Sequence, residues 1–382
     1  MERCAVIYLD NAATSSPKPQ SVTETMLRGM RISANPGRGG HEAAMRASQE
    51  VFSARKALSG FFNLNKPQNV IFTQNCTHGL NTAIFGLIKN NSHVVCSDLE
   101  HNSVMRVLEK MKNEGKIRYS IAKTYPDDND TVRSFENEIR RDTRAIICTH
   151  ASNVFADVLP IERIGALCRK YNLIFIVDAA QSAGVIPIDV EKMNITALCL
   201  SGHKGLYGSM GTGALLLRTD DIKPLIFGGT GSESQSPEQP TYLPDRLESG
   251  TLNLPGIMSV KAGVDFVRRN TPECIHRCEA WLCSELYDFL KNDGRYEVFS
   301  RIPCEKSVPI VSFRHREMHS EETAEILGRY GFCVRAGYHC AYLAHKSRGT
   351  ADSGLVRVST GVFNSKNDLK KLINCLNKIE NI

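Results

Sequence analysis

One alternation constrains this chain more than any other feature. Short apolar runs recur at residues 70–73, 93–96, 145–148, 173–177, 197–200 and 214–217, and longer amphipathic stretches separate most of them. Runs of four or five with no polar interruption read as strands buried on both faces. Strands joined through helices run parallel, because a crossover returns the chain to the same edge. The expected fold is therefore α/β, a mainly parallel sheet covered by helices, with its ligand site beyond the carboxyl ends of the strands.

The chain has 382 residues, and a single core rarely organises more than ~250–300. A large α/β domain over residues 15–255 is expected. After Leu254-Pro255-Gly256 the character changes to two long helical patterns, then strand-like segments at 296–299 and 308–313. A helix near 321–330, strands near 333–335 and 355–359, and a last helix opened by a capping box from Ser365 to Asp368 follow. Residues 1–14 plus 256–382 are accordingly assigned to a smaller α+β domain. Between the two, residues 228–244 are rich in Gly, Ser and Pro and read as a long loop.

Charge and cysteine usage exclude several functions. The 47 basic and 41 acidic residues leave a net charge of +6, scattered along the chain, which does not suit a nucleic-acid binder. The longest aliphatic run is about that of 173–177, too short for a membrane span or a signal peptide, so a cytoplasmic location is expected. Thirteen cysteines are spread singly, with no Cys-x-x-Cys pair. Neither a disulfide framework nor a zinc ribbon is expected, and most should be reduced, buried thiols. The grouping of Cys274, His276, Cys278 and Cys283 falls on a helical stripe of Ile275, Cys278, Leu282, Leu286 and Phe289. It reads as core packing, and no metal site is assigned.

Chemistry concentrates where the runs end. The run 173–177 is followed by Asp178, and the run 197–200 leads into Ser201-Gly202-His203-Lys204 and a Gly-rich turn through Gly213. Adjacent strands would set Lys204 beside the Asp178 carboxylate. A lysine that condenses with an aldehyde and an aspartate that keeps a pyridine nitrogen protonated are what pyridoxal 5′-phosphate (PLP) needs to act as an electron sink. A phosphate site accompanies them: the run 70–73 breaks into Asn75-Cys76-Thr77-His78-Gly79 and resumes as a helix, whose first N–H groups and Thr77 hydroxyl suit a dianion. The Walker spacing is absent. These residues predict a PLP enzyme with its cofactor attached to Lys204.

The blocks Tyr8-Leu9-Asp10-Asn11-Ala12-Ala13, Asn35-Pro36-Gly37-Arg38-Gly39-Gly40-His41, Glu100-His101-Asn102-Ser103, Ser152-Asn153-Val154, Val177 to Gln181, Ser201 to Lys204, Glu248 to Asn253 and Arg335 to Cys340 follow in order along nearly the whole chain. In this the chain resembles the class V aminotransferase-like PLP enzymes, and within them the cysteine desulfurases and selenocysteine lyases with a short persulfide loop. The resemblance implies the type I fold of PLP-dependent transferases, with a sheet of the seven-stranded type. It implies that Lys204 carries PLP, that Asp178 pairs with the pyridinium and that His101 stacks on the ring. Gln181 and Asn153 would bond around the ring hydroxyl and the substrate, while Thr77, His78, Ser201 and His203 hold the phosphate. Thr251 would reach the phosphate of a neighbouring subunit, implying a homodimer. Arg357 looks like the clamp for the substrate carboxylate, a task that suits a planar two-pronged donor, with Asn153, His41 and Arg335 as further substrate contacts.

Cys340 follows His339 in a polar, Gly-containing loop, with Arg335 close behind it, a setting that favours a thiolate. The resemblance places the persulfide-forming cysteine at this position. The expected reaction converts L-cysteine to L-alanine with the sulfur on Cys340, for transfer to a sulfur-acceptor protein. Two alternatives stay open: a selenocysteine lyase, and a class V aminotransferase or β-lyase in which Cys340 is not catalytic. The chain departs from the common desulfurase pattern at Gly205, which lengthens the turn after Lys204, at Ser209, where Pro is frequent, and at Tyr342, where Gln-Pro or Pro is frequent.

Overall fold

The structure is a computed structural model that describes residues 6–32, 34–37 and 39–379. Arg38 of the Asn35-to-His41 block and Cys4 lie outside the described residues. The strands are β1 (Ile7–Tyr8), β2 (Val70–Thr73), β3 (Ser92–Ser97), β4 (Ile117–Ala122), β5 (Thr143–Thr149), β6 (Ile174–Asp178), β7 (Ala197–Ser201), β8 (Gly213–Leu217), β9 (Tyr296–Val298), β10 (Ile310–His315), β11 (Phe332–Cys333), β12 (Arg335–Gly337) and β13 (Leu355–Ser359). The helices are α1 (Gln20–Ile32), α2 (Glu42–Phe61), α3 (Cys76–Leu87), α4 (Asn102–Asn113), α5 (Asp128–Asn137), α6 (Ile161–Lys170), α7 (Leu254–Asn270), α8 (Pro272–Asn292), α9 (Ser320–Arg329), α10 (Tyr342–Ser347) and α11 (Lys366–Leu376).

Seven strands form the main sheet in the order β2-β8-β7-β6-β5-β3-β4. Only β8 runs against its neighbours, because a turn rather than a helix joins it to β7. The expected apolar runs all became strands here, and their neighbours in sequence divide between two cores. Ile146, Cys148, Phe175, Val177, Leu198 and Leu200 pack on one face. Ala145, Ile147, Ile176, Ala197 and Cys199 pack on the other. That period-two division across both faces is why these strands read as unbroken apolar runs. Strand β4 escaped the sequence reading, since it lies at the sheet edge and exposes Arg118 and Ile121 on either side of half-buried Tyr119 and Ser120.

A second sheet, β12-β13-β10-β9, is antiparallel throughout. It shares a core of Leu9, Leu282, Leu286, Phe313, Val358 and Leu372 with α8 and α11. The strand expected at 308–313 begins only at Ile310, after Pro309, whose missing N–H cannot join a ladder. The strand expected at 333–335 is two: β11 pairs with β1, and β12 turns away to pair with β13. The last helix has its capping box, Ser365 with Asp368. Helix α7 buries Leu254, Ile257, Met258, Val260 and Val264 in the first core of the main sheet.

The stripe on α8 differs from expectation. Ile275, Leu282 and Leu286 are buried, but Cys278 is exposed and its place is taken by Glu279. Four-residue steps from Ile275 reach Glu279 and Cys283, which bury with Leu282, Leu286 and Leu290. Burial raises the Glu279 carboxyl to about 8, and it accepts a bond from Tyr207 Oη at 3.4 Å. Among the described cysteines none is disulfide-bonded, and Cys76, Cys96, Cys148, Cys168, Cys199, Cys283 and Cys375 are buried. No described helix is long and apolar enough to cross a membrane.

Residues 218–253 contain neither helix nor strand, and one buried carboxylate fastens this segment to the sheet. Glu248 accepts from Arg55 through both carboxylate oxygens and from the Phe72 N–H at 2.6 Å, while Arg55 also donates to Val70 O. Both side chains are almost fully buried. Glu248→Ala would leave the guanidinium buried without its counter-charge, a loss of about 3–5 kcal/mol. Urea unfolding should register that loss, with a smaller one for Glu248→Gln, which keeps an acceptor for Phe72.

Candidate active site

Two strand ends create the site. Asp178 closes β6 and Ser201 closes β7, its parallel neighbour. The chain then turns tightly: Tyr207 N donates to Lys204 O at 2.8 Å and Gly208 N to Gly202 O at 2.7 Å. Gly205 has a definite task in this turn. A Cβ there would stand 2.5 Å from Ala183 O and 2.9 Å from Val185 Cγ2, so only glycine lets the Lys204 turn lie against residues 183–185. Gly213 acts similarly across the site, where a Cβ would meet the Asn75 backbone at 2.6 Å. Four donors also converge on the His203 carbonyl: Ser15 N at 3.1 Å, Thr14 Oγ1 at 3.1 Å, Ser15 Oγ at 3.2 Å and Lys18 Nζ at 2.7 Å.

Asp178, Lys204, His101, Asn153, Gln181, Ser201, His203 and Thr77 all line one cavity of about 110 Å³. Asp178 is 4% exposed. Its Oδ1 accepts from Ala180 N at 2.9 Å and from Cys76 Sγ at 3.4 Å, and its other oxygen has no protein donor among the described residues. Burial holds the Lys204 amine below the usual lysine range, with the positive charges of Arg357 and Arg335 adding to the effect and Asp178 opposing it. His101 caps α4 through Nδ1, which accepts from Ser103 N at 3.1 Å and lies 2.8 Å from Ser103 Oγ. Burial lowers its pKa too.

The other expected residues stand outside that wall. His78 lies one position beyond Thr77 on α3, its N–H taken by the cap residue Asn75 at 2.9 Å. His41 is exposed and caps α2, accepting from Ala44 N at 3.3 Å. Thr251 is exposed at the end of the 218–253 segment. Arg357 is 1% exposed; it donates to Asp10 Oδ1 at 2.7 Å and to Asn153 O at 2.9 Å, and its Nε is buried without a partner. Arg335 stands opposite Arg357 across β12 and β13.

Cys340 is exposed, with Arg335 Nη2 3.9 Å from its sulfur. Its loop is held by both neighbours: Asn153 Nδ2 donates to His339 O, and Asn102 N donates to Cys340 O, each at 2.8 Å. His339 and Cys340 are both left-handed, at φ 51° and 56°. The buried His339 ring stacks on His345, 6.0 Å away, and burial pushes its pKa down to about 2, so it is neutral.

Several contributors had not been singled out from the sequence. Asp10 and Ser103 sat inside the quoted blocks, where a carboxylate near the chain start and a hydroxyl after His101 were available signals. Lys18, joined to a backbone carbonyl 185 residues away, left no pattern to find.

The donor set fits PLP. At one end, Asn75 satisfies the His78 N–H, leaving those of Cys76 and Thr77 without an intrahelical acceptor. Thr77, Ser201 and the buried, unpartnered Nδ1 of His203 add to this anion-binding end. At the other end the open oxygen of Asp178 suits a protonated ring nitrogen, and Lys204 suits the aldehyde.

The family model described as Aminotransferase class-V matches residues 7–372, and the chain belongs to that family, whose members depend on PLP. Similar relatives carry a narrower description. A probable cysteine desulfurase of Methanothermobacter thermautotrophicus is 29% identical over 98% of this chain and 94% of its own length. One of Pyrococcus abyssi has the same identity and coverage. The solved apo structure of a cysteine desulfurase from Thermococcus onnurineus NA1 superimposes with a TM-score of 0.90 at 29% identity, covering 98% of this chain and 94% of that one.

Two predictions follow from this geometry. Gly205→Ala should overpack the Lys204 turn, at a cost of about 1–3 kcal/mol, and weaken PLP binding about tenfold or more in an absorbance titration. The second concerns Glu100, beside His101. Its carboxyl accepts from Ser97 Oγ and from Thr149 N at 2.7 Å, yet burial raises its pKa to about 8. A carboxyl whose folded pKa lies above its unfolded value contributes its full stability below the unfolded pKa and loses it as pH rises to about 8. Glu100→Gln should therefore gain on the wild type by about 1.4 kcal/mol per pH unit across that window, as read by urea unfolding at pH 6 and 7.5.

Proposed function

We propose that this chain is a PLP-dependent cysteine desulfurase that converts L-cysteine to L-alanine and receives the sulfur as a persulfide on Cys340. The observation that carries the reading is the pinned, exposed Cys340. Its loop is tied to Asn102, which follows His101, and to Asn153 on the cavity wall. We take residues 15–255 as the large domain and 1–14 with 256–382 as the small one, and the working unit as a cytosolic homodimer in which Thr251 serves the neighbouring subunit's phosphate site.

Bound in the cavity, PLP supplies an electron sink for the pair left behind when the substrate loses its α-proton. Lys204 is the base that removes that proton: its depressed pKa makes the neutral amine more available at neutral pH than in an ordinary lysine. Asp178 would keep a proton on the ring nitrogen of the bound group, and His101 would cover its ring. Thr77, Ser201 and His203 would hold the phosphate, with His78 next along α3 as a further proposed contact. Arg357, with Arg335, Asn153 and His41, receives the substrate carboxylate, which takes over part of the guanidinium that Asp10 now engages. Cys340 Sγ then bonds to the substrate sulfur as the substrate's carbon–sulfur bond breaks. The balance is one cysteine and one thiol in, one alanine and one persulfide out.

Cys340→Ala tests the assignment. The variant should keep the visible absorbance of bound PLP yet lose alanine formation from L-cysteine by about two orders of magnitude or more. Full activity in that variant would remove Cys340 from the mechanism. An α-keto acid formed only with an amino acceptor would instead mark a transaminase.

A further inference from the structure

We propose that the groove running outward from Cys340 between α3 and α4 is the docking site of a small acidic thiol, a carboxylate-bearing acceptor that collects the persulfide sulfur. This rests on the reading of Cys340 as the persulfide carrier. The groove has a volume of about 460 Å³, in the range of small-molecule sites at ~300–1,000 Å³. Thr77, His101 and Ser103 line both it and the inner cavity; Lys204 and Asp178 line the inner cavity only, and Cys340 the groove only. The reacting sulfur therefore stands at a boundary, with the amino-acid side within and a separate approach without.

Charge selects the visitor. Apart from the thiol, the ionisable side chains of the groove lining are His101, Arg106 and Lys110, and no carboxylate is among them. Lys110 is engaged by Glu114 at 2.5 Å. The exposed Arg106 has no carboxylate partner among the described residues, and neither has Arg335, whose Nη2 lies 3.9 Å from Cys340 Sγ. The unspent Arg106 guanidinium thus lines the path to the sulfur, and it suits a carboxylate. Phe85 and Val107 add an apolar wall for the carbon skeleton.

The transfer needs no outside oxidant or reductant. The acceptor thiolate attacks the outer sulfur of the Cys340 persulfide and forms a new S–S bond. The bond between that sulfur and Cys340 Sγ breaks, its electron pair returns to Cys340 as thiolate, and the acceptor's thiol proton is released to solvent.

The test begins with the holoenzyme and one equivalent of L-cysteine, measuring the alanine burst and, by intact mass, the persulfide. Discharge is then followed with mercaptosuccinate, 2-mercaptoethanol or cysteamine at equal thiolate concentration. Mercaptosuccinate should discharge the persulfide about tenfold faster than the neutral thiol, cysteamine should be slowest, and the spread should narrow at high salt. Arg106→Glu should abolish the mercaptosuccinate advantage while the rate with 2-mercaptoethanol stays put, which controls for folding and loading; Lys110→Glu should reduce it less. Equal wild-type rates for the three thiols would overturn the proposal. So would an advantage that survives both substitutions, or one seen only with an acidic cysteine-containing peptide, which would point to a protein acceptor. A wild-type enzyme that gives no alanine burst would overturn the desulfurase reading, and this inference with it.

Discussion

The buried carboxylate of Asp178 and the half-buried amine of Lys204, on the wall of one cavity, are what the rest of the structure accommodates. Taking either charge out of water costs several kcal/mol, and their mutual attraction only partly offsets it. Such a pair is tolerable where the sheet ends and a polar ligand takes over. Strands β6 and β7 can be apolar on both faces because Asp178 is held back to the carboxyl end of the one and Lys204 lies beyond the end of the other.

The site is also a seam. Arg357 belongs to the four-stranded sheet but bonds to Asn153 of the main sheet's loops and to Asp10 of the N-terminal segment. That segment carries on to the His203 carbonyl beside Lys204. The residues proposed to hold the cofactor and those proposed for the substrate are thereby joined through hydrogen bonds to the backbone at Asn153 and His203.

Sequence reading recovered what depends on local pattern. Unbroken apolar runs located most strands of the main sheet, because burial on both faces leaves no alternation to miss, and the same runs placed Asp178 at the end of β6 and Lys204 just beyond β7. It failed where a pattern is diluted or distant. Edge strand β4 carries Arg118 and Ser120, so nothing in it reads as a buried run. Glu279 on α8 was passed over because a buried carboxyl contradicts the stripe that a helix is expected to show. Gly205, read as an insertion, is set by the nearness of Ala183 O, a contact between turns that no spacing rule encodes.

Consecutive left-handed residues at His339 and Cys340 have a further consequence. For residues with a Cβ this backbone costs roughly 1–2 kcal/mol each, so it persists only because Asn102 and Asn153 fasten both carbonyls and the His339 ring is wedged against His345. A chain so fastened has little slack, and α10 begins two residues later. The Cys340 thiol is a fixed berth rather than a swinging arm, so in the proposed reaction the pace of sulfur traffic would be set by what arrives and departs.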